Sequence, residues 1–199
     1  MRTALAAALL APLVAAPALA ADPVVVVEFA SAASTKSGVE VSDTKYSEKA
    51  DDAVIGSKDV ADGVVTYAGQ VGMGKGSSYA GIGFTVNINP AGKPMDASAF
   101  SSVTFRLSAA PGGSLRLRLV GSEEKIRSGG CYPVCMQSVT KEMKEFTIPL
   151  SKFASEGWCG ANARAVKKVL PELAGFEIAD TNMRKAPASL SVGSITLNP

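Results

Sequence analysis

Hydrophobic and polar positions alternate strictly through the middle of the chain. Val103, Phe105 and Leu107 are separated by Thr104 and Arg106, and Leu115, Leu117 and Leu119 by Arg116 and Arg118. Between Tyr79 and Ile88 the larger apolar residues Ile82, Phe84, Val86 and Ile88 share one parity. Period-two alternation belongs to antiparallel strands with one face on a core and the other on solvent. These runs predict strands over 79–88, 102–107 and 115–120. Pro111-Gly112-Gly113 is read as the turn of a hairpin joining the last two. Val24–Phe29 is a β-branched run and predicts the first strand. Ala53–Ile55 and Gly63–Ala68 carry strand signals around the turn dipeptide Asp62-Gly63. Lys144–Leu150, Gly175–Ala179 and Leu190–Leu197 complete the set.

The remaining segments are read as connections. Residues 30–53 are small and polar and predict a long loop, with one weak strand at Val39–Val41. In that loop Asp51-Asp52 is read as a solvated carboxylate pair. Gly72-Met-Gly-Lys-Gly76 predicts a flexible hairpin connection; it lacks the spacing of a phosphate loop. Ala165, Val166, Val169 and Leu170 have helical spacing within 161–170, and Pro171 stops that helix. Many short strands, Gly/Pro turns and one short helix predict an all-β protein, a β-sandwich of jelly-roll type.

The first residues change the picture of location. Met1-Arg-Thr is followed by an Ala/Leu run and by Ala18-Leu-Ala20 before Ala21-Asp22. That pattern predicts a signal peptide over residues 1–21 and a single β-sandwich domain over 22–199, periplasmic or secreted. Later apolar runs are too short to span a bilayer. Lys and Arg number 20 against 18 Asp and Glu, a near balance that argues against a nucleic-acid footprint. The chain has no histidine. That excludes nucleophile systems built on an imidazole base and removes the commonest zinc ligand.

Cys131, Cys135 and Cys159 are the three cysteines. In an oxidising compartment two of them pair. Gly129-Gly-Cys-Tyr-Pro-Val-Cys135 is a tight segment, so a Cys131–Cys135 bridge is expected ahead of a bridge from either one to Cys159. The longer loop to Cys159 would give the greater chain-entropy stabilisation, about 3–4 kcal/mol.

Several segments then occur in a recognisable order: Tyr79-Ala-Gly-Ile-Gly-Phe84, Met95-Asp-Ala-Ser-Ala-Phe100, Val103–Leu107, Phe146-Thr-Ile-Pro-Leu-Ser-Lys-Phe153, Gly157-Trp158 and Leu173-Ala-Gly-Phe-Glu-Ile178. The series resembles galactose-binding-like jelly-roll domains, the carbohydrate-binding modules of secreted glycan-degrading enzymes. It is also similar to the domain of complex I intermediate-associated proteins, where Ile55-Gly56-Ser57 would match a Gly-Gly-Lys-Ser-like element. The resemblance spans about residues 24–198. It implies a non-catalytic sugar-binding protein. In such relatives an Asp leading the last strand helps hold calcium. Here that strand reads Ser191-Val-Gly-Ser-Ile-Thr-Leu197, so no metal site is predicted, and no cofactor.

Candidate ligand residues follow from alternation and from aromatic placement. Arg106, Arg116, Arg118 and Glu177 fall on outward parity, with Thr85 and Tyr79 on the same side. Arginine and glutamate offer planar, bidentate hydrogen bonding to sugar hydroxyls or to an acidic glycan. Trp158 at the Gly-Trp corner and Tyr132 beside the cysteines are the stacking candidates. The leading reading is an exported carbohydrate-binding protein, not an enzyme. The alternatives are an envelope structural or assembly protein that binds another protein, and a glycan-active enzyme. The enzyme would need two carboxylates facing one cleft, about 5–10 Å apart.

Overall fold

The computed structural model describes residues 22–29, 39–88, 93–184 and 186–199. The expected signal peptide and most of the 30–53 segment's first half lie outside the described residues. The described chain forms two antiparallel sheets packed as a sandwich.

Sheet I is ordered β3 (Ala53–Ala61), β4 (Val64–Val71), β11 (Ala188–Asn198), β6 (Ser102–Ala110) and β9 (Lys144–Pro149), with β1 (Val24–Val27) also pairing with β11. Sheet II is ordered β2 (Glu40–Ser47), β5 (Ala80–Asn87), β10 (Leu173–Asp180), β7 (Gly113–Gly121) and β8 (Val134–Val139). This is the expected jelly roll. Asp62 and Gly63 both have positive φ, 51° and 72°, and join Ala61 to its partner Val64. That is a two-residue turn with left-handed backbone at both central positions, which Asp-Gly tolerates well. Ile55-Gly56-Ser57 sits at a register shift in β3, so its glycine serves a bulge.

The hairpin expected between 102–107 and 115–120 does not form. β6 pairs with β11 and β9 in sheet I, whereas β7 pairs with β10 and β8 in sheet II. The chain arches across the sandwich at Pro111-Gly112-Gly113. Val103, Phe105 and Leu107 therefore share the core with Leu115, Leu117 and Leu119 from the opposite sheet. Alternation looks the same for a hairpin and for an arch, because both place one parity on the core. Gly72–Gly76 corrects in the same way: it joins β4 of sheet I to β5 of sheet II and is not a hairpin loop.

Aromatic pairs tie the sheets together. Phe105 of sheet I meets Phe176 of sheet II edge to face, with centroids 5.6 Å apart. Tyr67 stacks on Phe84 at 5.1 Å, and its hydroxyl donates to Asp43 at 2.8 Å. Asp52 is buried rather than solvated. Its carboxylate accepts the backbone N–H of Ser77 (2.9 Å) and of Lys75 (3.1 Å), and its carbonyl accepts that of Gly72 (2.8 Å). A carboxylate spent on backbone donors clips the glycine-rich loop to β3.

Two strands arise where the sequence signal is weak. β2 covers Glu40–Ser47, where only a weak strand at Val39–Val41 is expected, and β8 covers Val134–Val139, where none is. Both are sheet edges, so half-burial suffices and the apolar period is faint. The helical run over 161–170 contracts to one turn, α2 (Val166–Val169), between 3-10 turns; another single turn, α1 (Glu124–Ser128), precedes β8.

Candidate functional site

The inward parity of sheet II carries Ile82, Phe84, Phe176, Ile178, Leu115 and Leu117 into the core. The opposite parity forms a second face, and the pairing dictates its neighbours. Glu177 on central β10 stands opposite Arg118 of β7 and Thr85 of β5. One step along, Ala179 stands between Gly83 and Arg116. Cross-strand partners point to the same side, so Arg116, Arg118, Glu177 and Thr85 share one floor, as the sequence predicts.

Small residues shape that floor. A Cβ on Gly81 would lie 2.6 Å from the Tyr46 ring, so only glycine lets the β2 tyrosine lie down against β5. Burial pushes the Tyr46 phenol up; Arg116 opposes this and Glu177 adds to it. Tyr46 is therefore a neutral hydroxyl at physiological pH, able both to donate and to accept.

The charged residues form one network. Arg118 Nη1 donates to Glu177 Oε2 at 2.5 Å and Arg116 Nη1 donates to Glu177 Oε1 at 3.3 Å. Arg116 Nε donates to Glu156 Oε1 at 3.3 Å, and its Nη2 makes a closer bond to Glu156 Oε2. Burial pulls the Arg118 guanidinium down while Glu177 partly restores it. Burial also pulls Arg116 down, but the Glu156 hydrogen bond and the neighbouring acidic groups outweigh it and raise it. Both remain cations, because a guanidinium does not lose its proton in proteins. Two guanidinium groups face two carboxylates, so the floor is charge-neutral and rich in planar hydrogen-bonding groups. Arg118 Nε is buried with no hydrogen-bond partner among the described residues.

An open cleft of about 860 Å³ lies over this floor, within the roughly 300–1,000 Å³ usual for small-molecule sites. Its rim carries aromatic and apolar side chains beside Arg127 and Ser128. Trp158 is 66% exposed and Tyr79 58%, and Met136 and Met183 are also exposed there. Trp158 belongs to a 3-10 turn, Gly157–Asn162, next to the disulfide Cys131–Cys159, whose Cα atoms are 5.5 Å apart. The same segment is fastened by Arg164, which grips Glu123 at 2.8 and 3.1 Å, and by paired backbone bonds between Ala154 and Val134 at 2.9 Å each.

Three expectations are corrected. Arg106 lies on β6 of sheet I, opposite Glu145 of β9 and with its side chain over Gly193, so it is separated from Arg116 and Arg118 by the whole sandwich. Tyr132 is not on the rim: it is 1% exposed, its ring closes against Gly121, and its hydroxyl donates to the Glu123 carbonyl at 3.2 Å. The disulfide joins Cys131 to Cys159, leaving Cys135 free. Cys135 is held in the β8 ladder opposite Leu117, while Cys131 sits in the loop before that strand. Burial pushes the Cys135 thiol up, so it is a poor nucleophile.

Two floor residues escape sequence reading. Glu156 has only its place beside the Gly-Trp corner to mark it. Tyr46 lies on an edge strand with no apolar period.

No protein-family model and no curated protein matches the chain. Solved structures do. The family 30 carbohydrate-binding module of the cellulosomal cellulase Cel9D-Cel44B of Clostridium thermocellum is similar at TM-score 0.51 and 13% identity, over 78% of this chain and 90% of the module. The family 11 carbohydrate-binding module from the same organism, in complex with a β-1,3-1,4-mixed-linked tetrasaccharide, reaches TM-score 0.47 and 14% identity over 81% and 84%. PfGH50B reaches 0.48 and 15%, over 80% of this chain but only 22% of its own length. The fold is a jelly-roll β-sandwich like that of the family 30 carbohydrate-binding module.

Proposed function

We propose that the chain is an exported, non-catalytic carbohydrate-binding protein whose ligand lies on the exposed face of sheet II. The observation that carries this reading is the conjunction of a flat Arg116–Glu177–Arg118 network with the exposed rings of Trp158 and Tyr79 in one cleft. Sugar rings offer an apolar face for stacking and hydroxyls that pair with planar polar groups. Arg116 and Arg118 are balanced by Glu156 and Glu177, and Arg127, which also lines the cleft, is paired with Glu124 at 3.7 Å; this balance favours neutral glycans over acidic ones. Both carboxylates are engaged by guanidinium donors, which supports binding rather than acid–base hydrolysis. The polar floor also speaks against a cleft built for a protein's apolar surface. The disulfide fits an oxidising compartment, and no described helix is long and apolar enough to cross a membrane.

The test is an array of neutral and acidic soluble glycans probed with residues 22–199, beside Trp158→Ala and Arg106→Ala. Retention of a neutral glycan, weakened at least tenfold by Trp158→Ala and untouched by Arg106→Ala, is expected. Binding that Arg106→Ala abolishes while Trp158→Ala leaves intact would move the site to sheet I.

A further inference from the structure

Trp158 is the only tryptophan of the chain, and it projects 66% exposed at the cleft rim. An exposed ring has little packing to hold it, so its position depends on how the backbone beneath it is held. Within Gly157–Asn162 only Cys159 is buried. The turn also contains a sharp kink at Gly160, with φ 50° and ψ −126°. Apart from the bridge, the turn is tied by the Arg116 grip on Glu156 before it and by Ser155–Arg164 bonds of 2.6 and 3.0 Å that close the base of the segment; the Ala154–Val134 pairing and the Arg164–Glu123 grip lie beyond. On the opposing strand of chain, Cys131 follows Gly130, where an added Cβ would lie 3.2 Å from an Arg118 nitrogen and 3.6 Å from the Trp158 ring. The bridge therefore joins the aromatic rim to the segment that touches the floor.

We infer that the Cys131–Cys159 disulfide is a positioning element: it holds Trp158 over Arg118, and the binding face is complete only in the oxidised protein. Its functional meaning rests on the carbohydrate-binding reading above, but the positioning itself does not. Both cysteines belong to the same buried cluster as Phe105, Leu117, Phe176 and Ile178, but that cluster is built mainly from strands of the two sheets. Reduction by two thiols, which become a disulfide, or by a phosphine and one water, which become the phosphine oxide, delivers two electrons and two protons and leaves two thiols. It frees the turn between its flanking ties. Binding must then re-order the tryptophan, and a side chain that has to be immobilised weakens affinity by about three- to tenfold.

The lone indole gives one N–H resonance, so its motion can be read without any ligand. In a Cys135→Ser background, which prevents reshuffling, 15N relaxation is measured on oxidised protein, on folded protein held in excess phosphine reductant, and on Cys131→Ser/Cys159→Ser. The expected result is an indole order parameter falling from about 0.85 to below about 0.6, with sandwich amides unchanged and soluble neutral β-glucan binding weakened in parallel. An indole that stays rigid after reduction overturns the inference, and Glu156 and the flanking ties would then suffice. Loss of the whole sandwich spectrum in both reduced forms also overturns it, making the bridge a staple of the fold. A loosened indole with no glycan bound in either state upholds the positioning and refutes the carbohydrate reading.

Discussion

Among the described residues Glu177 is the acidic partner of the buried Arg118 head and one of two for Arg116, so Glu177→Gln is the sharpest perturbation of the floor. Glutamine keeps the shape but places an amide NH2 where one carboxylate oxygen now accepts. If it replaces Oε2, it faces Arg118 Nη1 at 2.5 Å, donor against donor. Either rotamer also leaves Arg118 without its counter-charge, with side-chain exposures of only 10% for Arg118 and 9% for Glu177. Breaking a buried ion pair by removing one partner costs about 3–5 kcal/mol. The lower end applies here, since Arg116 keeps Glu156. About 3 kcal/mol lowers Tm by about 6–12 °C for a chain of this size. The matched control is Arg118→Met/Glu177→Met, which removes both charges and fills the space. It is expected to lie within about 1 kcal/mol of the parent, because an apolar pair avoids the desolvation cost. Urea denaturation of the three proteins checks this, provided their slopes agree. A Glu177→Gln loss below about 1 kcal/mol, or a double variant no better than the single, would refute the claim that the pair's value lies in mutual neutralisation.

Two further outcomes follow from other parts of the molecule. Phe105→Ala removes one partner of the edge-to-face pair that spans the sheets and is expected to cost about 3–5 kcal/mol by denaturation; a cost below about 1 kcal/mol would mean the sandwich collapses around the hole. Glu123→Gln tests pH dependence. The Arg164 hydrogen bond holds the Glu123 carboxyl below the usual range, so the folded protein releases this proton more readily than the unfolded chain. The contribution is fully present above the unfolded carboxyl value and is lost as pH falls through the folded one. The stability gap between parent and variant should therefore be seen at neutral pH and close on acidification. A gap that widens in acid would contradict it.

The secondary structure of the two sheets' central strands was legible because each buries one face completely. Leu115, Leu117 and Leu119 admit no parity but inward, which sends Arg116 and Arg118 outward whatever the strand pairs with. Glu177 follows by the same argument from Phe176 and Ile178. Edge strands were obscure for the converse reason. β2 carries Asp43 and Lys45 on the parity of Val41, because an edge strand leaves part of its inner face to water. The Asp62-Gly63 turn could be read locally, since two left-handed residues in succession demand such a pair. The Pro111–Gly113 segment could not, since it is compatible with both hairpin and arch.

Local periodicity thus determined which side chains of the central strands face the core and where those strands run, and composition, with no histidine, closes off imidazole chemistry. Tertiary structure decided everything that depends on which strand lies beside which. It placed Arg106 on the far sheet, brought Glu156 to Arg116 across 40 residues of sequence, buried Tyr132 and Asp52, and chose Cys159 over Cys135 for the bridge. The physical reason is one and the same. Alternation reports a single strand's two faces over a few ångströms, whereas pairing, arches and crosslinks are settled by non-local burial that no short window of sequence contains.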